Sequence, residues 1–120
     1  MIITRTPVRI SFAGGGTDMP AFYEREGGAV LSAAINKYFY TVITARGDTI
    51  LQLISSDLRV VEQVDAVDPA AYSGDLRIPM AVVRRNKVRR GMNIFMASEI
   101  PPGTGLGSSA SVCVNLIRAV

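Results

Sequence analysis

The glycine-rich segment from Glu99 to Ala110, EIPPGTGLGSSA, constrains this 120-residue chain more than any other part of its sequence. Residues 92–100 alternate in polarity and predict a strand, which the pair Pro101-Pro102 ends. Three glycines then recur at every second position, two serines follow, and residues 110–120 predict an apolar helix of about 16 Å. A strand, a glycine loop and a helix in direct succession indicate a chain that mixes strands and helices.

Such a loop is typical of a site that binds phosphate. Glycine is needed where the backbone takes a positive φ or approaches a ligand without a Cβ in the way. Successive amides in the loop can point inward, and the helix that follows adds its unpaired N–H groups and the positive end of its dipole. We interpret this loop as a phosphate cradle, in which the hydroxyls of Ser108 and Ser109 can bind phosphate or a phosphate-bound Mg²⁺.

The loop differs from two better-known phosphate-binding motifs. No lysine follows the last glycine, so it is not the common P-loop, and the third glycine of the dinucleotide fingerprint would fall where Ser108 stands. The alternative interpretation is a glycine-rich turn in which Ser108 or Ser109 is an ordinary N-cap.

Composition limits the chemistry available to the chain. One cysteine and no histidine exclude an internal disulfide, a zinc-finger ligand set and a Ser-His-Asp or Cys-His centre. The net charge of +3 comes from a local group that we call the basic cluster, which supplies five of the 13 positive charges: Arg84, Arg85, Lys87, Arg89 and Arg90. We predict that this cluster is a solvated helix face. The alternative, a phosphate or nucleic-acid contact, is disfavoured because no aromatic residues are interleaved with the charges.

The chain shows no sign of a targeting or membrane segment. Arg5 and Arg9 interrupt the apolar N-terminus, and prolines and glycines break the longest uncharged stretch, Ile100 to Ile117. We therefore predict a soluble, cytoplasmic protein of one domain that makes no membrane contact.

The rest of the chain divides into recognisable elements. Alternation and turn residues predict two short opening strands, a helix capped by Thr17 or Asp18, two long strands joined by a hairpin turn, a connection, and a helix with Met80, Val83 and Val88 inward and the basic cluster outward. In chain order these are Ile2–Arg5, Val8–Ala13, a helix to about Glu26 ended by Gly27-Gly28, Ala29–Ala45, Arg46-Gly47-Asp48, Thr49–Val64, Asp65–Asp75, and Ile78–Arg90 ended by Gly91.

The last helix carries a prediction of its own. Its polar residues Ser111, Asn115 and Arg118 fall on one narrow stripe, and a helix that is otherwise apolar must be covered on most sides. No Gly, Asn or Pro terminator follows it. We expect a fragment whose missing half, or a partner chain, supplies the cover; the alternative is a short protein whose last helix packs on its own sheet.

Two segments together resemble a known family. Residues 101–110, PPGTGLGSSA, look like the ATP-phosphate motif of the GHMP kinases, and residues 7–18, PVRISFAGGGTD, resemble their first, substrate-side motif. The residues of the first motif are most similar to those of the heptose 7-phosphate kinase branch. The two motifs stand in the family's order, and the resemblance spans essentially the whole chain.

The resemblance implies a fold and a set of site residues. The fold would be a two-layer α+β N-terminal domain, similar to the second domain of ribosomal protein S5 and incomplete at its C-terminal end. The ATP phosphates would lie against Pro102, Gly103, Thr104, Gly105, Leu106, Gly107, Ser108 and Ser109, with Ser109 as the Mg²⁺ ligand. The sugar would lie against Arg9, Gly14, Gly15, Gly16, Thr17 and Asp18. For Arg9 the alternative is a strand residue that faces solvent, and for Asp18 it is a helix cap.

The resemblance also implies an activity. The chain would be part of an ATP-dependent kinase that phosphorylates a sugar or a heptose phosphate. The family's catalytic aspartate, a Mg²⁺-binding acid and a third glycine-rich motif follow the second motif, so we expect no catalytic residue in this chain and no turnover by it alone. The alternative function is a non-catalytic module of the same fold that binds nucleotide or RNA.

Overall fold

The structure is a computed structural model that describes residues 1–67 and 74–120. Part of the predicted connection Asp65–Asp75 lies outside the described residues. Within these two ranges, eight elements follow one another: β1 (Ile2–Ala13), α1 (Pro20–Glu26), β2 (Leu31–Ala45), β3 (Ile50–Ser55), β4 (Val60–Asp65), α2 (Arg77–Arg85), β5 (Met92–Ser98) and α3 (Ser108–Ala119).

The five strands form one mixed sheet in the order β1-β2-β5-β3-β4. Neighbouring strands are antiparallel except β3 and β5, which are parallel. Helices α2 and α3 pack together on one face, where the core joins residues of both helices to residues of β2, β3 and β5. The predicted two-layer α+β architecture is confirmed.

The first strand is continuous, and the prediction of two separate strands is wrong. β1 pairs with β2 along its whole length, and its register shifts between Pro7 and Arg9. Proline has no N–H to donate to the ladder, and a bulge at this point absorbs the defect without ending the strand.

The predicted strand Thr49–Val64 is instead the hairpin of β3 and β4. The chain turns between them at residues 55–59. There the Leu58 amide donates to Ser55 Oγ over 3.3 Å, and Arg59 has a φ of 54°. The sequence contains turn-forming residues at this point, Ser55, Ser56 and Asp57. The alternation of the flanking apolar residues favoured one long strand instead, and the prediction followed that alternation.

The segment Arg46-Gly47-Asp48 does not close a hairpin, because β5 lies between β2 and β3. The Arg46 amide donates to the Gly91 carbonyl, and the Gly91 amide donates to the Asp48 carbonyl, which holds the start of β5 in that gap. Turn residues favour the local backbone conformation of a bend, but they do not determine which strands pair on either side of it.

The boundaries of two helices and one strand also differ from the predictions. α1 opens with Pro20, after Met19 and without a side-chain cap, and Gly27 ends it as predicted. α2 stops at Arg85 and not at Gly91, because Asn86 caps it and Lys87 has a φ of 54°. The inward positions are as predicted, and the basic cluster is exposed as predicted, but only its Arg84 and Arg85 lie on the helix. β5 ends at Ser98, whose hydroxyl accepts the Ile100 amide.

Helix α3 turns two residues of its polar stripe inward, while the third, Arg118, stays exposed. Ser111 and Asn115 are buried, whereas Val114 and Ile117 are 57% and 59% exposed. Burying those two apolar side chains would gain roughly 1.5–3 kcal/mol each. It would strand three groups that bond to Asn115, the Thr4 and Thr6 hydroxyls and the Phe39 carbonyl, at about 1–3 kcal/mol each. The two quantities are of similar size, so the hydrogen bonds of Asn115 offset the exposure of Val114 and Ile117.

No helix within the described ranges is long and apolar enough to cross a membrane.

The crossover before β3 gives a test by pH. Arg46 forms an ion pair with Asp48 at 2.6 Å, and its hydrogen bond lowers the pKa of the Asp48 carboxyl to about 2. A folded-state pKa below the unfolded one means that the pair stabilises the fold above the unfolded pKa and that this contribution disappears as the pH falls through about 2. We expect Arg46→Gln to move the Asp48 midpoint upward in a carboxyl NMR titration. An unchanged midpoint would contradict this assignment.

Candidate functional site

The glycine loop adopts the backbone that its sequence predicts. Gly103, Gly105 and Gly107 have φ values of 81°, 73° and 76°, a region that side chains with a Cβ seldom enter. Gly107 is the N-cap of α3, so the loop runs directly into the helix. The strand–loop–helix arrangement predicted for the phosphate cradle is confirmed as a backbone geometry.

The amides of this loop are available to a ligand. Within residues 1–67 and 74–120, no hydrogen bond is donated by a backbone amide from Gly103 to Ala110, and the Ser111 amide donates the first helical bond to Gly107. Unpaired amides at the start of a helix, combined with its dipole, attract an anion. The loop therefore has the electrostatic character that phosphate requires.

The two serines occupy the first turn of α3 and do not cap it. The N-cap is Gly107, without a side-chain cap hydrogen bond, so the alternative of an ordinary serine cap is wrong. Ser108 is half-buried and Ser109 is exposed. Both hydroxyls are positioned beside the free amides.

Arg9 joins the substrate-side motif to the loop. Its amide donates to the Leu106 carbonyl over 3.1 Å, and its guanidinium donates to Ser11 Oγ over 2.9 Å. A Cβ built on Gly107 would lie 3.1 Å from Arg9 Cγ and 3.3 Å from Cζ. Arg9 is half-buried against the loop, so it is more than a strand residue facing solvent.

Residues 14–18, which we call the acceptor loop, lie at the far end of β1. Thr17 Oγ1 bonds to Gly14 and to both backbone groups of Ala29, and Asp18 Oδ1 accepts the Gly16 amide over 3.1 Å. Asp18 does not cap α1. A Cβ on Gly14 would overlap the Ala29 carbonyl, whereas Gly15 and Gly16 face open space.

The two predicted motifs are thus only partly brought together. Arg9 contacts the glycine loop, but Gly14 lies five positions further along the chain, a span of about 16 Å at the usual rise of a strand. An acceptor that reaches both loops is an extended molecule, or it contacts the acceptor loop with one end only.

A small cavity of about 160 Å³ opens beside Ser108 and Ser109. Its walls are mainly apolar, with two carboxylates among them: Phe39, Leu76, Met96, Ile100, Val112, Asp57 and Asp75. Pockets for whole drug-sized ligands hold roughly 300–1,000 Å³, so this one suits a single ring system. Sequence patterns did not identify it, because its walls come from five separate parts of the chain.

A larger cavity, about 730 Å³, lies at the other end of α3. Lys87, Arg89 and Arg90 of the basic cluster line it, together with Val120. None of the predicted site residues does. The twelve residues of α3 separate it from the glycine loop by about 18 Å, so the larger cavity and the loop are separate features.

Two polar residues for which the sequence predicted no role hold the elements around the glycine loop in place. Glu99 accepts the Tyr38 amide through Oε2 over 2.7 Å, which fixes the end of β5 just before the loop. Asn115 ties α3 to β1 and β2 through its amide group. The sequence signal that could have identified Asn115 was the presence of an asparagine in a mostly apolar helix.

The described residues contain no cluster of three or more His, Cys, Asp or Glu side chains suited to a metal. A Mg²⁺ ion that is held chiefly by phosphate oxygens needs few protein ligands, and it prefers oxygen. The exposed Ser109 hydroxyl beside the free amides fits that chemistry.

Comparison with known proteins agrees with this geometry. Residues 76–120 match the family model of the GHMP kinases N terminal domain. The resemblance to the GHMP kinases is confirmed. The chain is 29% identical to the D-glycero-alpha-D-manno-heptose 7-phosphate kinase of Campylobacter jejuni over 98% of its own length.

Solved structures show the GHMP kinase fold. A D-glycero-D-manno-heptose 1-phosphate kinase from Bacteroides thetaiotaomicron superposes on 99% of this chain with a TM-score of 0.87 at 23% identity. The mevalonate kinase of Methanococcus jannaschii superposes on 99% with a TM-score of 0.81, also at 23% identity. This chain spans 36% of the length of the Campylobacter enzyme and 40% and 39% of these two structures.

Proposed function

We propose that this chain is the ATP- and sugar-binding part of a GHMP-type kinase that phosphorylates a sugar or a heptose phosphate. The observation that carries the proposal is the run of free amides from Gly103 to Ala110 at the start of α3, with Arg9 against it. The similarity to sugar and heptose phosphate kinases supports the choice of acceptor class.

The glycine loop would hold the phosphates of ATP. Its amides and the positive end of α3 offset the negative charge of the phosphates, and the Arg9 guanidinium beside Gly107 adds a fixed positive charge. The small cavity beside Ser108 and Ser109 would take the base, since it is apolar and fits one ring system. Mg²⁺, held by the Ser109 hydroxyl and the phosphates, would neutralise charge on the transferred group.

The reaction is a phosphoryl transfer. An acceptor hydroxyl oxygen bonds to the γ-phosphorus as the bond to the β–γ bridging oxygen breaks, and the hydroxyl proton leaves to a base. The resemblance assigns that base to a segment after the second motif. The contribution of this chain is therefore positioning and charge stabilisation, and we expect it to bind without turnover.

The acceptor loop would contact the sugar. Gly15 and Gly16 leave the backbone open to a ligand, and the Asp18 carboxylate is exposed with one oxygen on the Gly16 amide. A carboxylate that is already fixed in place is suited to accept hydrogen bonds from sugar hydroxyls. The separation of this loop from Arg9 favours an acceptor as long as a sugar phosphate.

The alternative of RNA binding depends on the basic cluster. Those residues are exposed, but Lys87, Arg89 and Arg90 line the cavity at the opposite end of α3, about 18 Å from the loop. The paired serines and free amides favour nucleotide.

Loss of Gly107 gives the test of the nucleotide site. We expect the chain to bind a non-hydrolysable ATP analogue with Mg²⁺ saturably in calorimetric titration, and Gly107→Val to abolish this binding. The valine enters a positive φ and collides with the Arg9 side chain, so both the loop and its charge move.

Gly47→Val is the matched control, because a Cβ at Gly47 meets open space and lies outside both loops. It should leave the binding isotherm unchanged. A folded wild-type chain that binds no analogue, or a Gly107→Val variant that binds as well as wild type, would contradict the proposed nucleotide site.

Asp18→Asn tests the acceptor site. The asparagine Oδ1 still accepts the Gly16 amide, so the loop is preserved, but the negative charge that orients sugar hydroxyls is lost. We expect affinity for a heptose 7-phosphate to fall about tenfold, since a hydrogen bond to a charged group contributes roughly 1.5–3 kcal/mol. Affinity for the ATP analogue should stay constant. An unchanged heptose phosphate affinity would remove Asp18 from the acceptor site.

A further inference from the structure

Helix α3 is apolar on nearly all sides, so apolar burial alone does not fix its rotation. Val112, Cys113 and Leu116 pack on or within the core, while Val114 and Ile117 are apolar and remain exposed. The hydrophobic effect has no preferred direction. Several rotations of this helix would bury a similar apolar area against the sheet.

Hydrogen bonds to the first two strands select one rotation. Asn115 is fully buried, and its Nδ2 donates to Thr6 Oγ1 over 3.0 Å and to the Phe39 carbonyl over 3.1 Å. Its Oδ1 accepts from the Thr4 hydroxyl over 2.7 Å. One turn earlier, Ser111 Oγ donates to the Pro7 carbonyl over 3.2 Å. We call these four contacts the β1–α3 seam, since three of them reach β1.

The β1–α3 seam lies directly below the glycine loop. Ser111 follows the free amides in the same helix, and Pro7 precedes Arg9, whose amide binds Leu106. A rotation or slide of α3 therefore moves Ser108 and Ser109 relative to Arg9. Fixing the helix fixes the distance between the phosphate-binding amides and the strand that carries the acceptor loop.

We infer that Asn115 is a positioning residue, which sets the rotation of α3 and thereby places the glycine loop against Arg9. This inference rests on the proposed nucleotide site. Its structural part, the rotation of α3, can be measured without nucleotide. Cys113, the only cysteine of the chain, is half-buried on α3 and reports that rotation through its reactivity.

The test compares Asn115→Leu with wild type. Leucine keeps the branched shape of asparagine, with two methyl groups in place of the amide oxygen and nitrogen, and so removes every side-chain hydrogen bond at this position. We expect the rate at which a disulfide reagent modifies Cys113 to change severalfold, and affinity for the ATP analogue with Mg²⁺ to fall by roughly tenfold or more, since a shift of about 1 Å in a site has large effects. Val114→Asn, an amide on the exposed neighbour, is the control and should change neither.

A double variant separates positioning from stability. Asn115→Leu with Thr6→Val replaces two hydrogen-bonding partners by apolar groups, which tends to restore the melting temperature. If positioning is the role, the double variant melts near wild type yet keeps the altered thiol rate and the weak binding. Recovery of wild-type thiol rate and binding together with the melting temperature would overturn the inference.

The remaining outcomes also decide the question. If wild type itself binds no analogue, the proposed nucleotide site fails, and the Cys113 rates alone test the rotation. If Asn115→Leu and the double variant do not fold, Thr6→Val alone removes one bond of the seam and should shift the Cys113 rate in part. Wild-type rates in every folded variant would overturn the inference.

Discussion

The structure depends on how helix α3 is held against strand β1. A hydrogen bond from the Arg9 amide to the Leu106 carbonyl joins the strand to the glycine loop. The β1–α3 seam continues this attachment along the helix through Ser111 and Asn115. Because one strand holds the loop and also carries the acceptor loop at its end, the two predicted ligand regions share a single rigid support. Without that attachment, the free amides would have no fixed relation to the rest of the molecule.

Burial and polarity act against each other at this interface. The helix places an amide and a hydroxyl in the interior and leaves two large apolar side chains in solvent. A fully satisfied polar network specifies one arrangement, whereas an apolar interface of the same size accepts several. The chain thus gives up some apolar burial for a defined geometry, which is the usual compromise where a site must be held in place.

The sequence was most informative where chemistry is local. The positive φ of Gly107, the entry of the loop into a helix and the inward face of α2 at Met80 follow from residue type and spacing alone, and the structure confirms them. Strand pairing was not predictable in this way. Whether β5 inserts between β2 and β3 depends on contacts between distant segments, and a bend such as Arg46-Gly47-Asp48 looks the same in a hairpin and in a crossover.

The sequence predicted the two motifs of the site but not the contacts that distant segments make around them. Periodicity identified a polar stripe on α3 but did not show which way it faces, because a helical pattern does not reveal that Thr4 and Thr6 supply partners for Asn115. The small cavity beside Ser108 was invisible for a similar reason, since Asp57 and Phe39 meet there only in the fold. The roles of the individual loop residues toward ATP and sugar stay predictions.

The most direct test of the phosphate site is a backbone amide NMR titration of the chain with the ATP analogue and Mg²⁺. We predict that the amide resonances from Gly103 to Ala110, and that of Arg9, shift together and saturate at one ligand concentration. Resonances of residues 87–91, around the larger cavity, should stay in place. Shifts concentrated at residues 87–91, with the loop amides unmoved, would contradict the account.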